Sequence, residues 1–173
     1  SLAREGCHVA ICARGEDTLN VALEELGAIS SHVWGAVTDV TKSADVEKFV
    51  SGAAQHLGGI DALVCNVGGT MGGSSLEASD EEWLATLDLN LLHSVRTIRA
   101  ALPYMKERDQ SSVAIVSSIS GWKPGPKAQY GSAKAAEIFL SSALAWELAS
   151  HHIRVNTVCP GSILFPDGGW SNF

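Results

Sequence analysis

The chain has 173 residues, is 46% hydrophobic and 18% charged, and carries a net charge of −7. Those values suit one globular domain with a sizeable core and exclude a disordered chain. The acidic balance, without any Lys/Arg run, argues against phosphate-backbone binding, so no nucleic-acid partner is expected.

The predicted elements alternate. Residues 8–13, HVAICA, form a short apolar strand. Residues 16–26 place Leu19, Ala22, Leu23 and Leu26 at helical spacing, with Gly27 as a C-cap. A second strand covers 31–37, SHVWGAV. Ser43 can cap a helix that runs through Val46, Phe49, Val50 and Ala53 and stops at Gly58-Gly59. The buried strand IDALVCNV, 60–67, is followed by a glycine-rich loop, GGTMGGSS. Ser79 caps a long helix over 80–108, with acids in its first turn. Then come a strand at 111–118, an alanine-rich helix at about 127–149 and a strand at 152–158, which Cys159-Pro160-Gly161 ends.

Continuous apolar strands alternating with helices predict a doubly wound α/β domain with a parallel sheet, Rossmann-like, over 1–173. No apolar stretch approaches the roughly 20 residues of a membrane span, and no signal peptide is expected. Cys7, Cys12, Cys65 and Cys159 form no CxxC pair and sit in or beside apolar runs. They read as buried free thiols in a reducing compartment, which places the protein in the cytoplasm. No Cys/His grouping has ligand spacing, so no metal site is expected.

In such sheets ligands bind outside the carboxyl ends of the strands. Arg14, Asp39, Asn66, Gly68, Ser118, Pro160 and Gly161 all follow strands. Tyr130 and Lys134 stand four apart on one helix and share a face. A free tyrosine has a pKa near 10, and an adjacent ammonium favours its phenolate, which suits acid–base work. The plainer explanation is a surface aromatic stacked by chance beside a charge. Ser118, at a strand end, can donate to a substrate oxygen, or merely punctuate a turn. Asn90 lies inside the predicted long helix, where Asn bonds back to backbone or marks a distortion.

These residues carry a resemblance. AQYGSAK resembles the Tyr-x-x-x-Lys signature of the short-chain dehydrogenases/reductases. LVCNVGG resembles their Asn-Asn-Ala-Gly loop, DLNLL their catalytic-Asn segment and IVSSISG their Ser segment. TDVT resembles their adenine-contacting Asp-Val motif and RVNTVCPG their Asn-x-hydrophobic-x-Pro-Gly motif. The six occur in family order over essentially the whole chain.

The resemblance implies an oxidoreductase that interconverts a ketone, such as a 3-oxoacyl type, and a secondary alcohol. Tyr130 would be the general acid/base and Lys134 would lower its pKa and hold the nicotinamide ribose. Ser118 would bond the substrate oxygen, and Asn90 would hold a helix distortion. Asp39 and Val40 would contact adenine, Asn66 and Gly68 would line the cofactor, and Pro160, Gly161 and Ile163 would face the nicotinamide amide. Ala13 offers no acid to the adenine ribose and Arg14 follows it, so NADP(H) is expected over NAD(H). Arg14 could instead stack on adenine or pair with Glu16 or Asp17. The partners implied are a small carbonyl or alcohol substrate and, through the helices at 80–108 and 127–149, a homodimer or homotetramer.

Two departures matter. The glycine-rich fingerprint that would hold the pyrophosphate is not found, and SLAREGCHVAI resembles the tail of the helix that follows it. The sheet is therefore expected to lack its first, central strand, and the chain to be an incomplete piece of a longer reductase with little activity of its own. Cys65 and Val67 replace an Asn and an Ala of the family loop. A non-catalytic dinucleotide-binding or scaffold protein, and an epimerase or dehydratase relative, are the alternatives. Trp122 and Trp170 are candidate walls of a substrate pocket.

Overall fold

A computed structural model describes residues 2–164. Phe165 and Trp170 lie outside the described residues. After a 3-10 turn at Leu2–Glu5, five strands and five α-helices alternate: β1 Val9–Ala13, α1 Glu16–Gly27, β2 Val33–Val37, α2 Ser43–Leu57, β3 Ala62–Cys65, α3 Asp80–Leu87, α4 His93–Met105, β4 Ser111–Val116, α5 Ala128–Leu148 and β5 Ile153–Val158.

All pairing is parallel, as the unbroken apolar strands predict, but it divides into two sheets. β1 pairs with β2 from Val9↔Val33 to Ala13↔Val37. β4 lies between β3 and β5, with Leu63↔Val113 and Val113↔Val155 in register. Among the described residues β1 and β3 each keep one edge without a strand partner, which matches the expected gap. One apolar core joins both sheets: Val46 and Val50 of α2, Cys65, Ile98 and Met105 of α4, and Ile115 and Ile153 are buried together, with Cys12 packed against them.

Several local expectations change. Gly27 is the last residue of α1 and Ala28 takes the cap position. Ser43 opens α2 rather than capping it; Lys42 stands at the cap and makes no side-chain bond. At the other end Gly58 adopts φ 80°, a left-handed conformation that closes α2 at little steric cost. Ser79 caps α3 as predicted, its Oγ accepting from Glu82 N while Glu82 Oε2 accepts from Ser79 N.

The predicted single helix over 80–108 is interrupted. Asp88–Leu92 form a π-helical turn, closed by His93 N–H donating to Asp88 O. The cysteines also divide: Cys65 is buried and Cys12 half-buried, but Cys7 and Cys159 are exposed. These last two lie beyond the ends of β1 and β5, where the sheet no longer covers them, so the expectation of four buried thiols is corrected. Among the described residues no helix is long and apolar enough to cross a membrane.

Candidate active site

The π turn explains Asn90. A π turn leaves a helical carbonyl without its usual donor, and here Asn90 Nδ2 donates to Thr86 O at 2.7 Å. The same nitrogen reaches Gly69 O at 2.7 Å, and Oδ1 accepts from Gly69 N at 3.2 Å. Asn90 is wholly buried, so one side chain both heals the helix and fixes the loop after β3.

That loop is tied on its far side to the start of α5. Gln129 Nε2 donates to Met71 O at 3.1 Å and Gly73 O at 3.2 Å, and Lys127 Nζ donates to Gly72 O at 3.1 Å. Met71 N–H donates to Thr86 Oγ1 at 3.0 Å. Thr86, Lys127 and Gln129 stand out in none of the sequence motifs. The signal available was only their spacing, since Gln129 directly precedes Tyr130.

Lys134 sits where these parts converge. A Cβ placed on Gly68 would come within 2.8 Å of Asn90 Oδ1 and 3.1 Å of Lys134 Nζ, so only glycine leaves this approach open. Lys134 Nζ lies 5.7 Å from the Tyr130 ring centre and donates to Val116 O at 3.0 Å. Ser117, at the end of β4, donates its hydroxyl to Lys134 O at 2.8 Å and so locks the helix to the strand. Ser118 is extended, and its Oγ accepts from Ser120 N at 3.1 Å, which starts the 3-10 turn Ile119–Gly121. The Ser118 hydroxyl proton stays available for donation.

Tyr130 lines a cavity of about 530 Å³ with Trp122, Lys123 and Pro126. A larger cavity, about 730 Å³, lies at the opposite end of the strands beside Asp109, His152 and Asn156, away from this chemistry.

The remaining predicted residues sit at or just after strand ends. Pro160 O accepts from Ile119 N at 2.9 Å, which carries the β4–β5 alignment past the sheet; Gly161 and Ile163 beyond it are exposed. Asn66 is exposed at the end of β3. Asp39 accepts from Thr41 N at 3.1 Å and Thr41 Oγ1 at 2.7 Å, and these bonds hold its carboxyl below the usual range. Val40 is buried beside it. Arg14 is exposed after β1 and, among the described residues, forms no ion pair with Glu16 or Asp17.

Two buried groups beside the site were not predicted. His93 is brought down to about 4, chiefly by burial. Glu137 is fully enclosed next to Lys134, and burial pushes its carboxyl up. Among the described residues no group of three or more His, Cys, Asp or Glu could hold a metal ion.

Known proteins are similar to this chain in sequence and fold. The short chain dehydrogenase family model matches residues 1–167. Human dehydrogenase/reductase SDR family member 4 is 37% identical over 164 residues, covering 94% of this chain and 59% of that protein. Human dehydrogenase/reductase SDR family member 2, mitochondrial, is 38% identical over the same length. The crystal structure of an actinorhodin polyketide ketoreductase variant with NADPH superimposes with a TM-score of 0.90 at 33% identity, covering 95% of this chain and 64% of that one. The chain thus spans less than two thirds of the length of these relatives.

Proposed function

The chain belongs to the short-chain dehydrogenase family, and from that premise we propose that the full-length protein is an NADP(H)-dependent oxidoreductase interconverting a ketone and a secondary alcohol. The observation that carries this is the close approach of Asn90 and Lys134 to Gly68, with the Lys134 ammonium beside the Tyr130 ring.

The donor set fits a dinucleotide. Gly68, exposed and without a Cβ, lets the Lys134 ammonium come up against the loop, where it supplies donors. A bound nicotinamide supplies or accepts the hydride. Tyr130 gives its phenolic proton to the carbonyl oxygen in reduction, or takes the alcohol proton in oxidation. Ser118 donates its hydroxyl proton to the same oxygen, where negative charge grows. Lys134 favours the phenolate and holds a ribose hydroxyl. Asn90 keeps the π turn and the loop at Gly69 in place. Asp39 and Val40 flank adenine, Asn66 and Gly68 line the dinucleotide, and Pro160, Gly161 and Ile163 face its amide. Arg14 receives the 2′-phosphate; its exposure after β1 and the NADPH named for the ketoreductase neighbour support this.

A 3-oxoacyl-type ketone is the substrate class we favour, on the strength of that same neighbour. Phe139 and Trp146 stand on an exposed face of α5, at 76% and 87% exposure, and fit a homodimer or homotetramer contact. The cytoplasm remains our proposed location.

Tyr130→Phe in the full-length protein tests the reading. Oxidation of NADPH against a panel of ketones and 3-oxoacyl thioesters should fall by roughly 100- to 10,000-fold while the fold persists. Retained activity overturns the role of Tyr130. A full-length wild type that binds NADPH but never turns over supports a scaffold instead.

A further inference from the structure

Three residues after Lys134, and on the same side of α5, stands Glu137. Its side chain is 0% exposed and that of Lys134 is 2% exposed. Glu137 Oε2 lies 2.9 Å from Lys134 Nζ. Neither carboxylate oxygen meets a well-aligned donor, so the link is one of charge rather than an aligned hydrogen bond. An acid enclosed in the inner face of an alanine-rich helix carries a desolvation penalty that Lys134 chiefly offsets, with Ser117 contributing. The reduction chemistry described above makes no use of it.

The neighbours narrow what this carboxylate can act on. Asn90 and His93 face the pair from the π turn and α4, Cys65 from the end of β3, Ser117 from the end of β4 and Tyr130 from α5 itself. His93 is neutral above about 4, with Lys134 and Arg96 both opposing its protonation. Cys65 stays a thiol, its pKa pushed up to about 12 by burial. Arg96 is itself paired with Asp88. Within this cluster the ionisable pair closest to Tyr130 is therefore Lys134 and Glu137, while Lys123 and Lys127 line the Tyr130 cavity.

We propose that Glu137 is a positioning residue whose buried carboxylate anchors the Lys134 ammonium beneath Gly68 and offsets part of the positive charge that Lys134 presents to Tyr130. This rests on Tyr130 being the acid–base group. Glu137 thus sets the pH at which the tyrosine works, without touching substrate. Without the carboxylate, the ammonium acts on Tyr130 uncompensated and favours the phenolate more strongly.

Ultraviolet titration of tyrosinate in the full-length protein reads this directly. The chain holds two tyrosines, Tyr104 and Tyr130, and subtracting the curve of Tyr130→Phe isolates the second. Glu137→Gln should lower the Tyr130 midpoint by about one pH unit, and the alkaline limb of the kcat profile for ketone reduction, in which Tyr130 must hold its proton, should move with it. Glu137→Asp, which keeps the charge, should restore the wild-type midpoint. A Glu137→Gln midpoint unchanged from wild type overturns the proposal even where Tyr130→Phe is inactive. Activity surviving in Tyr130→Phe overturns the acid–base reading instead. Thermal melts of Lys134→Met, Glu137→Leu and the double variant form a second measurement. A true pair makes the double variant melt above Lys134→Met, whereas additive losses refute the coupling.

Discussion

Asn90→Ala is the sharpest test of how the site is built. The side chain makes three hydrogen bonds: 2.7 Å to Thr86 O, 2.7 Å to Gly69 O and 3.2 Å from Gly69 N. Its removal leaves the buried Thr86 carbonyl and both backbone groups of the half-buried Gly69 short of a partner. At about 1 kcal/mol for each bond, and more where a group stays dry, the loss is about 3 kcal/mol. For a domain of this size that lowers Tm by roughly 6–12 °C. Urea unfolding of the full-length protein, followed by tryptophan fluorescence, gives the free energy. Asn90→Asp adds a sharper comparison. It keeps the acceptor for Gly69 N but loses the amide donor and sets a carboxylate against two carbonyl oxygens, so it should be at least as damaging as alanine. A loss below about 1 kcal/mol in Asn90→Ala, or a milder effect in Asn90→Asp, would refute the idea that Asn90 holds both the π turn and the loop.

Three further outcomes follow from the same geometry. His93 is depressed from 6.5 to about 4 in the native state; the unfolded chain therefore binds the proton first as pH falls. Stability should drop by roughly 3 kcal/mol between pH 6.5 and 4, and His93→Gln should show a flatter profile in that window. Glu137 acts in the opposite sense, losing stability as pH rises through its elevated native value, but it is common to both proteins and cancels in the difference. Cys65, enclosed and pushed up to about 12, should resist iodoacetamide in the native protein while exposed Cys159 is alkylated quickly, as peptide mass mapping would reveal. Comparable rates at the two positions would count against that burial. Arg14→Ala should raise KM for NADPH by about tenfold or more and leave KM for NADH unchanged, since only the 2′-phosphate loses its guanidinium partner. An equal rise for both cofactors would leave Arg14 stacked on adenine.

Much of the fold could be read in one dimension because its signals are local. The apolar run VAICA, the alternating strand IRVNTV and the capped start at Ser79 each state their own conformation. The i,i+4 spacing of Tyr130 and Lys134, and the placing of Ser118 and Pro160 after strands, needed nothing beyond chain order. The π turn was half legible: Asn90 inside a helix hinted at a distortion, but its bonds to Gly69 cross 21 positions in sequence. Gln129 and Lys127 were invisible for the same reason, since they act on a loop more than fifty positions away.

By itself, then, the sequence determined the parallel α/β alternation and the family, and it singled out Asn90, Ser118, Tyr130 and Lys134 as the proposed catalytic set. Periodicity, capping and motif spacing are short-range properties and survive in a string of letters. The tertiary structure alone decided that Lys134 meets Gly68 and Asn90, that the loop after β3 is strapped to α5, and that Glu137 is a buried counter-charge rather than a solvated acid on a helix. Those outcomes depend on which faces pack together and how much water is excluded, and an ammonium or carboxylate changes its behaviour only once that enclosure exists.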